Sequence, residues 1–182
     1  MSEEFSKVDE VVLHSGYIFD LVRANFRSPS GEHFSRDIVR HPGAVSVVPV
    51  DSDGRIIMVR QYRPALDRQI LEIPAGKRDI ADEPPELTAQ RELGEEIGMR
   101  AGSLDLLGTF ANAPGFSDEL SWIYLGRNLD EVPRDVQGIE ESHMSIERYT
   151  VDEAFAMIAD GSIIDTKTVI GLTLGIARLG GG

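Results

Sequence analysis

The sequence predicts an α/β/α sandwich, a mixed β-sheet with helices on both faces, preceded by a small N-terminal β-meander. Three observations carry that expectation. Short apolar segments bounded by turn residues alternate along the chain with segments of helical pattern. Residues 44–50, AVSVVPV, are apolar almost without interruption, as a strand covered on both faces would be. The segment from Pro84 to Gly98 reads as a helix with Leu87, Leu93 and Ile97 as its buried side. The expected division is an extension over residues 1–45 and a main domain over 46–182.

In order, residues 11–13, 17–26 and 33–40 read as short strands, with a turn at Ser28-Pro29-Ser30-Gly31. The alternation of Phe19, Leu21 and Val22 with Asp20, Arg23 and Asn25 suits a half-buried surface. Pattern alone leaves this meander as either an extra sheet layer or a dimerisation arm. Residues 44–50 and 55–60 flank the turn Asp51-Ser52-Asp53-Gly54 and are expected to pair as a hairpin. Residues 69–73 form the next strand, leading into a tight turn at Pro74-Ala75-Gly76. After the helix, strands are expected at 104–110, 120–126 and 144–149. A loop at 111–119 separates the first two, and the last is preceded by a polar loop holding Glu140 and Glu141. A short helix at 152–160, capped by Thr150 or Asp152, and a closing helix at 165–179 complete the main domain. The glycines at 180–182 read as a frayed end.

The segment from Gly76 to Met99 organises the rest. Read as a helix, its core sets Glu92, Glu95 and Glu96 at i, i+3 and i+4, which brings three carboxylates side by side. A solvated acidic face is the ordinary outcome of such a charge run. Here the run has an apolar side, follows a strand and a glycine turn, and adjoins Arg91. Pro84 and Pro85 suit the first turn, where backbone N–H groups lack partners anyway, and Gly98 suits a left-handed C-terminal cap. Like charges on one helix face call for a cation, and hard cations such as Mg2+ take oxygen ligands while keeping several waters. That chemistry serves hydrolysis of phosphoryl and pyrophosphoryl bonds. Arg91 would pair with a neighbouring glutamate and orient it.

The rest of the composition narrows the alternatives. The chain has 182 residues, 41% apolar and 27% charged, as one globular domain with a small extension would. A net charge of −13 argues against nucleic acid as a partner. There is no cysteine, hence no disulfide framework or thiol nucleophile, and no Gly-x-Ser-x-Gly elbow or phosphate-binding P-loop. His14, His33, His41 and His143 lack the paired spacing of a zinc site, and His41 and His143 read as surface or loop residues. The polar, acidic start MSEEFSKVDE carries no secretory pattern, and no apolar run reaches membrane-spanning length, so the expectation is a cytoplasmic protein. Arg60 and Arg63, closing the strand after the turn, are either phosphate-binding or plain surface arginines.

The stretch Gly76, Glu83, Arg91, Glu92, Leu93, Glu95, Glu96, Gly98 and Met99 resembles the Nudix box of the Nudix hydrolases. It departs in one place: Gly76 and Glu83 enclose six residues where the pattern has five, so either Asp82 or Glu83 fills the first acidic position. The likeness extends from about residue 10 to residue 175. It is strongest toward the ADP-ribose pyrophosphatases, through residues 36–48, Val59-Arg60-Gln61-Tyr62-Arg63, residues 71–76 and residues 113–119, with Pro114 as a further marker. The resemblance implies the Nudix fold and a Mg2+- or Mn2+-dependent cleavage of ADP-ribose to AMP and ribose 5-phosphate. It implies the Ala75 carbonyl, Glu92 and Glu96 as metal ligands, and Glu95 and Arg91 beside them. A later-loop glutamate, Glu141 in preference to Glu140, would be the base, and Arg60, Arg63, Glu72 and Pro114 would be substrate positions. It also implies a homodimer with exchanged N-terminal strands; no membrane partner is expected, since no apolar run reaches spanning length. The alternatives are a broader nucleoside diphosphate sugar hydrolase, taking for example GDP-mannose, and a non-catalytic Nudix-like binding module.

Overall fold

The computed structural model describes residues 4–136 and 138–180. Residues 181 and 182 of the expected frayed end lie outside that range, as do the first three residues of the extension. The chain divides into two units, residues 1–43 with 110–120, and residues 44–109 with 121–182.

The first unit is the expected meander: its first strand is longer than the pattern suggested, its second starts later, and its third keeps the expected bounds. β1 (Ser6–Ser15), β2 (Asp20–Arg27) and β3 (His33–Arg40) pair antiparallel in that order. Gly31, at φ 91°, closes the β2–β3 turn by donating its N–H to the Ser28 carbonyl at 2.9 Å. Phe26 and Phe34 are cross-strand partners and stack at 5.3 Å. Val22 and Ala24 are buried, whereas β1 is exposed along all ten residues. The loop at 112–119 joins this unit: Val39 donates to the Phe116 carbonyl, and Asp118 binds Arg40 at 3.0 Å.

In the second unit β4 (Ala44–Pro49) pairs with β7 (Ala75–Lys77) on one side and, in parallel, with β9 (Leu120–Glu131) on the other. Beyond β9 lies β8 (Met99–Ala111). A second sheet has the order β10 (Ser145–Tyr149), β5 (Ile56–Arg63), β6 (Arg68–Glu72). The expected hairpin between residues 44–50 and 55–60 is therefore corrected. Its turn forms, with Gly54 at φ 75° and Asp51 accepting from the N–H groups of Asp53 and Arg55. Its strands then part into different sheets, joined by the single bridge Val50↔Ile56. The reason is in the apolar run itself: β4 is buried on both faces and paired on both edges, which leaves no edge for β5.

Alternation along β4 sorts the two helical layers. Val45 and Val47 share a core with Ala89, Leu93 and Ile97 of α1 (Pro85–Ile97). Val48 faces the opposite way, toward Gly171 and Gly175 of α4 (Thr166–Gly180). Helices thus cover both faces, as expected. Leu93 is fully buried, and enclosing a side chain of that size contributes about 1.5–3 kcal/mol. Leu87, expected on the same buried side, is 57% exposed; the inward positions belong instead to Thr88, Ala89, Glu92, Leu93, Glu96 and Ile97. Two short helices complete the unit. α2 (Ile139–Ser142) occupies what was expected to be loop, and α3 (Val151–Ala159) begins with a reciprocal cap between Thr150 and Glu153. Among the described residues, no helix is long and apolar enough to cross a membrane.

Candidate active site

The site is built on the inward face of α1. Pro85 occupies the first helical position, where no N–H is needed, and Gly98 ends the helix in the left-handed conformation at φ 65°. Between them Thr88, Glu92 and Glu96 follow one another at four-residue intervals, on the side packed against β7. The expected tight turn at 74–76 is replaced by this strand. Pairing with Val45 and Ser46 holds Gly76 and Ala75 flat beneath the helix.

Two contacts lock the glutamates to that strand. Glu96 is 3% exposed, and its Oε2 accepts the Ala75 N–H at 2.9 Å. The Glu92 carboxylate lies directly over Gly76: a Cβ there would sit 2.0 Å from Glu92 Cδ. Only a glycine leaves that space. Arg91 gathers the neighbouring acids, with Nη1 3.0 Å from both Glu95 Oε2 and Glu92 Oε1, and Nη2 3.3 Å from Asp79. Glu83 accepts the Thr88 hydroxyl at 2.8 Å and lies 3.5 Å from Arg91 Nη2. Asp82, exposed and at φ 62°, takes up the additional loop residue, so Glu83 is the acid that reaches the helix.

The electrostatics follow from this packing. Burial raises the Glu96 carboxyl to about 8; the Ala75 N–H opposes the shift, and Glu92 and Glu141 add to it. Burial likewise raises Glu92 to about 7, against the pull of Arg91, with Glu95, Asp79 and Glu141 adding to it. Glu95 is raised by the same cause, opposed by Arg91. Glu141, on α2, is the later glutamate that repels all three. Glu140 beside it is exposed.

A divalent cation fits this arrangement. Glu92 and Glu96 are enclosed carboxylates raised by burial, and the missing side chain of Gly76 is what admits the Glu92 carboxylate beside the strand. Among the described residues, no three His, Cys, Asp or Glu side chains close into a ready-made cage. Mg2+ does not require one, because it is commonly held through one or two carboxylates and retains its waters.

The substrate positions divide. Arg60 and Arg63 lie three apart on β5 and so emerge on opposite faces. Arg60 makes a two-pronged contact with Glu147 of β10, at 2.8 and 3.1 Å, and Tyr149 also bonds that carboxylate. These bonds, Arg60 first, hold the Glu147 carboxyl down to about 2. Arg63 grips Glu72 in the same way, at 2.6 and 2.7 Å, and lies near enough to Glu96 for each to favour the other's charge. Glu72 is fully buried, and both its oxygens are taken by Arg63 and by Lys167 of α4. Glu72, expected among the substrate positions, is here bonded to these two cations. Pro114 is exposed in the 112–119 loop of the other unit. Sequence reasoning missed Lys167, Glu147, Tyr149 and Asp79. Glu147 and Tyr149 share β10, but the partners Arg60 of Glu147, Glu72 of Lys167 and Arg91 of Asp79 lie far off in the chain, where local spacing does not mark them.

Comparisons with known proteins bear on the family and the fold. A family model for the NUDIX domain matches residues 40–168. The chain is 41% identical to an ADP-ribose pyrophosphatase of Mycobacterium tuberculosis, over 93% of this chain and 82% of that protein. It is 38% identical to a methanol dehydrogenase activator of Bacillus methanolicus, over 87% and 85%. It is also 38% identical to an ADP-ribose pyrophosphatase of Bacillus subtilis, over 86% and 84%. A crystal structure of an ADP compounds hydrolase superimposes with a TM-score of 0.82 at 21% identity, covering 98% of this chain and 95% of that one, a likeness of fold. The family model spans the carboxylate helix and all the strands of both main-domain sheets up to residue 149, and on that ground the chain belongs to the NUDIX domain family.

Proposed function

We propose that this Nudix hydrolase cleaves the diphosphate of ADP-ribose to AMP and ribose 5-phosphate. The observation that carries the proposal is the seating of Glu92 over Gly76 beside the buried Glu96, with Glu141 near enough to repel both. The choice of ADP-ribose draws on the two relatives of that activity. Glu92, Glu96 and the Ala75 carbonyl would hold Mg2+ or Mn2+. When bound, the cation would neutralise charge building on the phosphate oxygens and make water a better nucleophile.

The chain's own groups do the remainder. Arg91 fixes Glu95 and Glu92 in place, a positioning role that costs turnover if lost. Glu141 takes the proton of the attacking water as the water oxygen bonds to one phosphorus and the bridging P–O bond breaks. Arg63, presented by Glu72, meets the negative diphosphate, and Arg60 and Pro114 supply further substrate contacts. The extension over residues 1–45 serves as a dimerisation arm that exchanges strands with a second copy; the ten exposed residues of β1, with Val8, Val11, Val12 and Leu13 among them, support this. A chain without cysteine suits the reducing cytoplasm.

The test is phosphate release, through added phosphatase, from ADP-ribose, GDP-mannose, UDP-glucose, NADH and diadenosine polyphosphates with Mg2+ or Mn2+. Preference for ADP-ribose is the expected result. Comparable cleavage of several sugar nucleotides would replace it with the broader hydrolase, and binding without any cleavage would replace it with a binding module. In the active protein Glu96→Gln, which keeps an oxygen for the Ala75 N–H, should cut turnover by orders of magnitude with the fold intact.

A further inference from the structure

We infer that Lys167, in the first turn of α4, is a positioning residue for the reaction: by clamping the buried Glu72 carboxylate it aims Arg63 at the site. The inference rests on the hydrolase reading above. Glu72 is fully enclosed, and its carboxylate is shared by two cations. Arg63 takes both oxygens through Nε and Nη2; Lys167 Nζ takes Oε2. Of the three, Arg63 is the exposed one, with 39% of its side chain accessible against 15% for Lys167. The partners' charges make the clamp selective. A buried carboxylate favours its ionised form when two cations flank it, and burial is outweighed here, so the Glu72 carboxyl is held below its ordinary value.

The clamp is itself anchored. Lys167 Nζ is 3.0 Å from Asp165, whose carboxylate also caps α4 by accepting the Thr168 N–H at 2.9 Å. The Thr168 hydroxyl, wholly buried, accepts the N–H of Ile73 at 3.0 Å, next in sequence to Glu72. The end of β6 and the start of α4 are thus joined at two consecutive residues. Lys167 has no freedom to swing to solvent without leaving both carboxylates. A long, flexible ammonium held in this way orients an arginine fork whose direction would otherwise depend on one partner.

The experiment compares Lys167→Met, Lys167→Arg and Glu72→Gln with the parent protein. In K167M the KM for ADP-ribose should rise about tenfold with kcat within about twofold, and K167R should restore most of the difference. A readout independent of turnover is the Arg63 Nε–H resonance in the nitrogen–proton spectrum, assigned by its loss in R63K. Bonded to a buried carboxylate it exchanges slowly in the parent, and that protection should be lost in K167M and kept in K167R. Adding K167M to E72Q should change KM less than about twofold further, because both act through one carboxylate. The double variant also avoids a buried unpaired charge, so poor folding of K167M cannot decide the matter. Retention of the protected resonance and the parent KM in K167M, or an undiminished effect on top of E72Q, would overturn the inference. Because the resonance needs no turnover, a protein that cleaves no nucleotide would defeat the hydrolase reading while the Lys167 test still gives its own answer.

Discussion

Replacing Gly76 by alanine should separate function from folding more cleanly than any other single change. The residue is not at positive φ, so the backbone accepts a side chain without strain. The new Cβ, however, would lie 2.0 Å from Glu92 Cδ and 2.1 and 2.2 Å from its oxygens, where real contacts essentially never fall under 3.0 Å. The carboxylate must therefore retreat by about 1 Å, and a displacement of that size costs on the order of 100-fold in rate. What moves is the end of a flexible side chain rather than backbone, so the stability change should stay under about 1 kcal/mol, or about 2–4 °C in Tm. Turnover of ADP-ribose, Mn2+ affinity by calorimetry and a thermal melt measure the three quantities. A variant with parent turnover and Mn2+ affinity would refute the placement of Glu92 at the reacting centre. Loss of the fold would refute the claim that only the side chain yields.

Other outcomes test separate parts of the structure. Glu141→Gln should lower turnover by about 100-fold or more with Mn2+ still bound, and Glu140→Gln should change it little; the reverse order would move the base to Glu140. Glu147 is held down to about 2 from an ordinary 4.5, chiefly by Arg60, so the unfolded chain binds the extra proton between these values. Its stabilisation is complete above about pH 4.5 and disappears as pH falls toward 2, and for a side chain 26% exposed it amounts to about 1–2 kcal/mol. The Tm gap between the parent and Glu147→Gln should therefore narrow on acidification, and a constant gap would refute the pairing. Gly171→Ala would push a methyl to 2.9 Å from both Ile73 and Val48 on the face opposite α1. It should cost about 1–3 kcal/mol in urea unfolding, and a neutral result would mean that α4 is not seated there.

How much of this was legible beforehand depends on the range of the interaction. The glutamate spacing, the proline start and the Gly98 cap of α1 are properties of one helix and appear in the structure where the sequence places them. The closing helices and most strands follow for the same reason. The β4–β5 hairpin failed because a local turn was read as evidence for a ladder, while pairing was decided by β7 and β9, over 25 residues away in the chain. Leu87 failed because the helix turns its carboxylates inward; a reading that seeks apolar residues cannot expect Glu92 and Glu96 there. The choice between Asp82 and Glu83 was open in the sequence and closed by a left-handed residue in the loop.

By itself, then, the sequence determined the acidic helix, its boundaries, the layered α/β build and the family to which the chain belongs. Tertiary structure alone decided that Glu92 rests on Gly76, that Glu96 binds the Ala75 N–H, that Glu141 comes near enough to repel both, and that Arg63 is held by Glu72 and Lys167. The division has a physical cause. Residues a helical turn apart are neighbours by backbone geometry, whatever surrounds them, whereas an ion pair such as Glu72–Lys167 joins positions 95 apart and exists only once sheets and helices have packed.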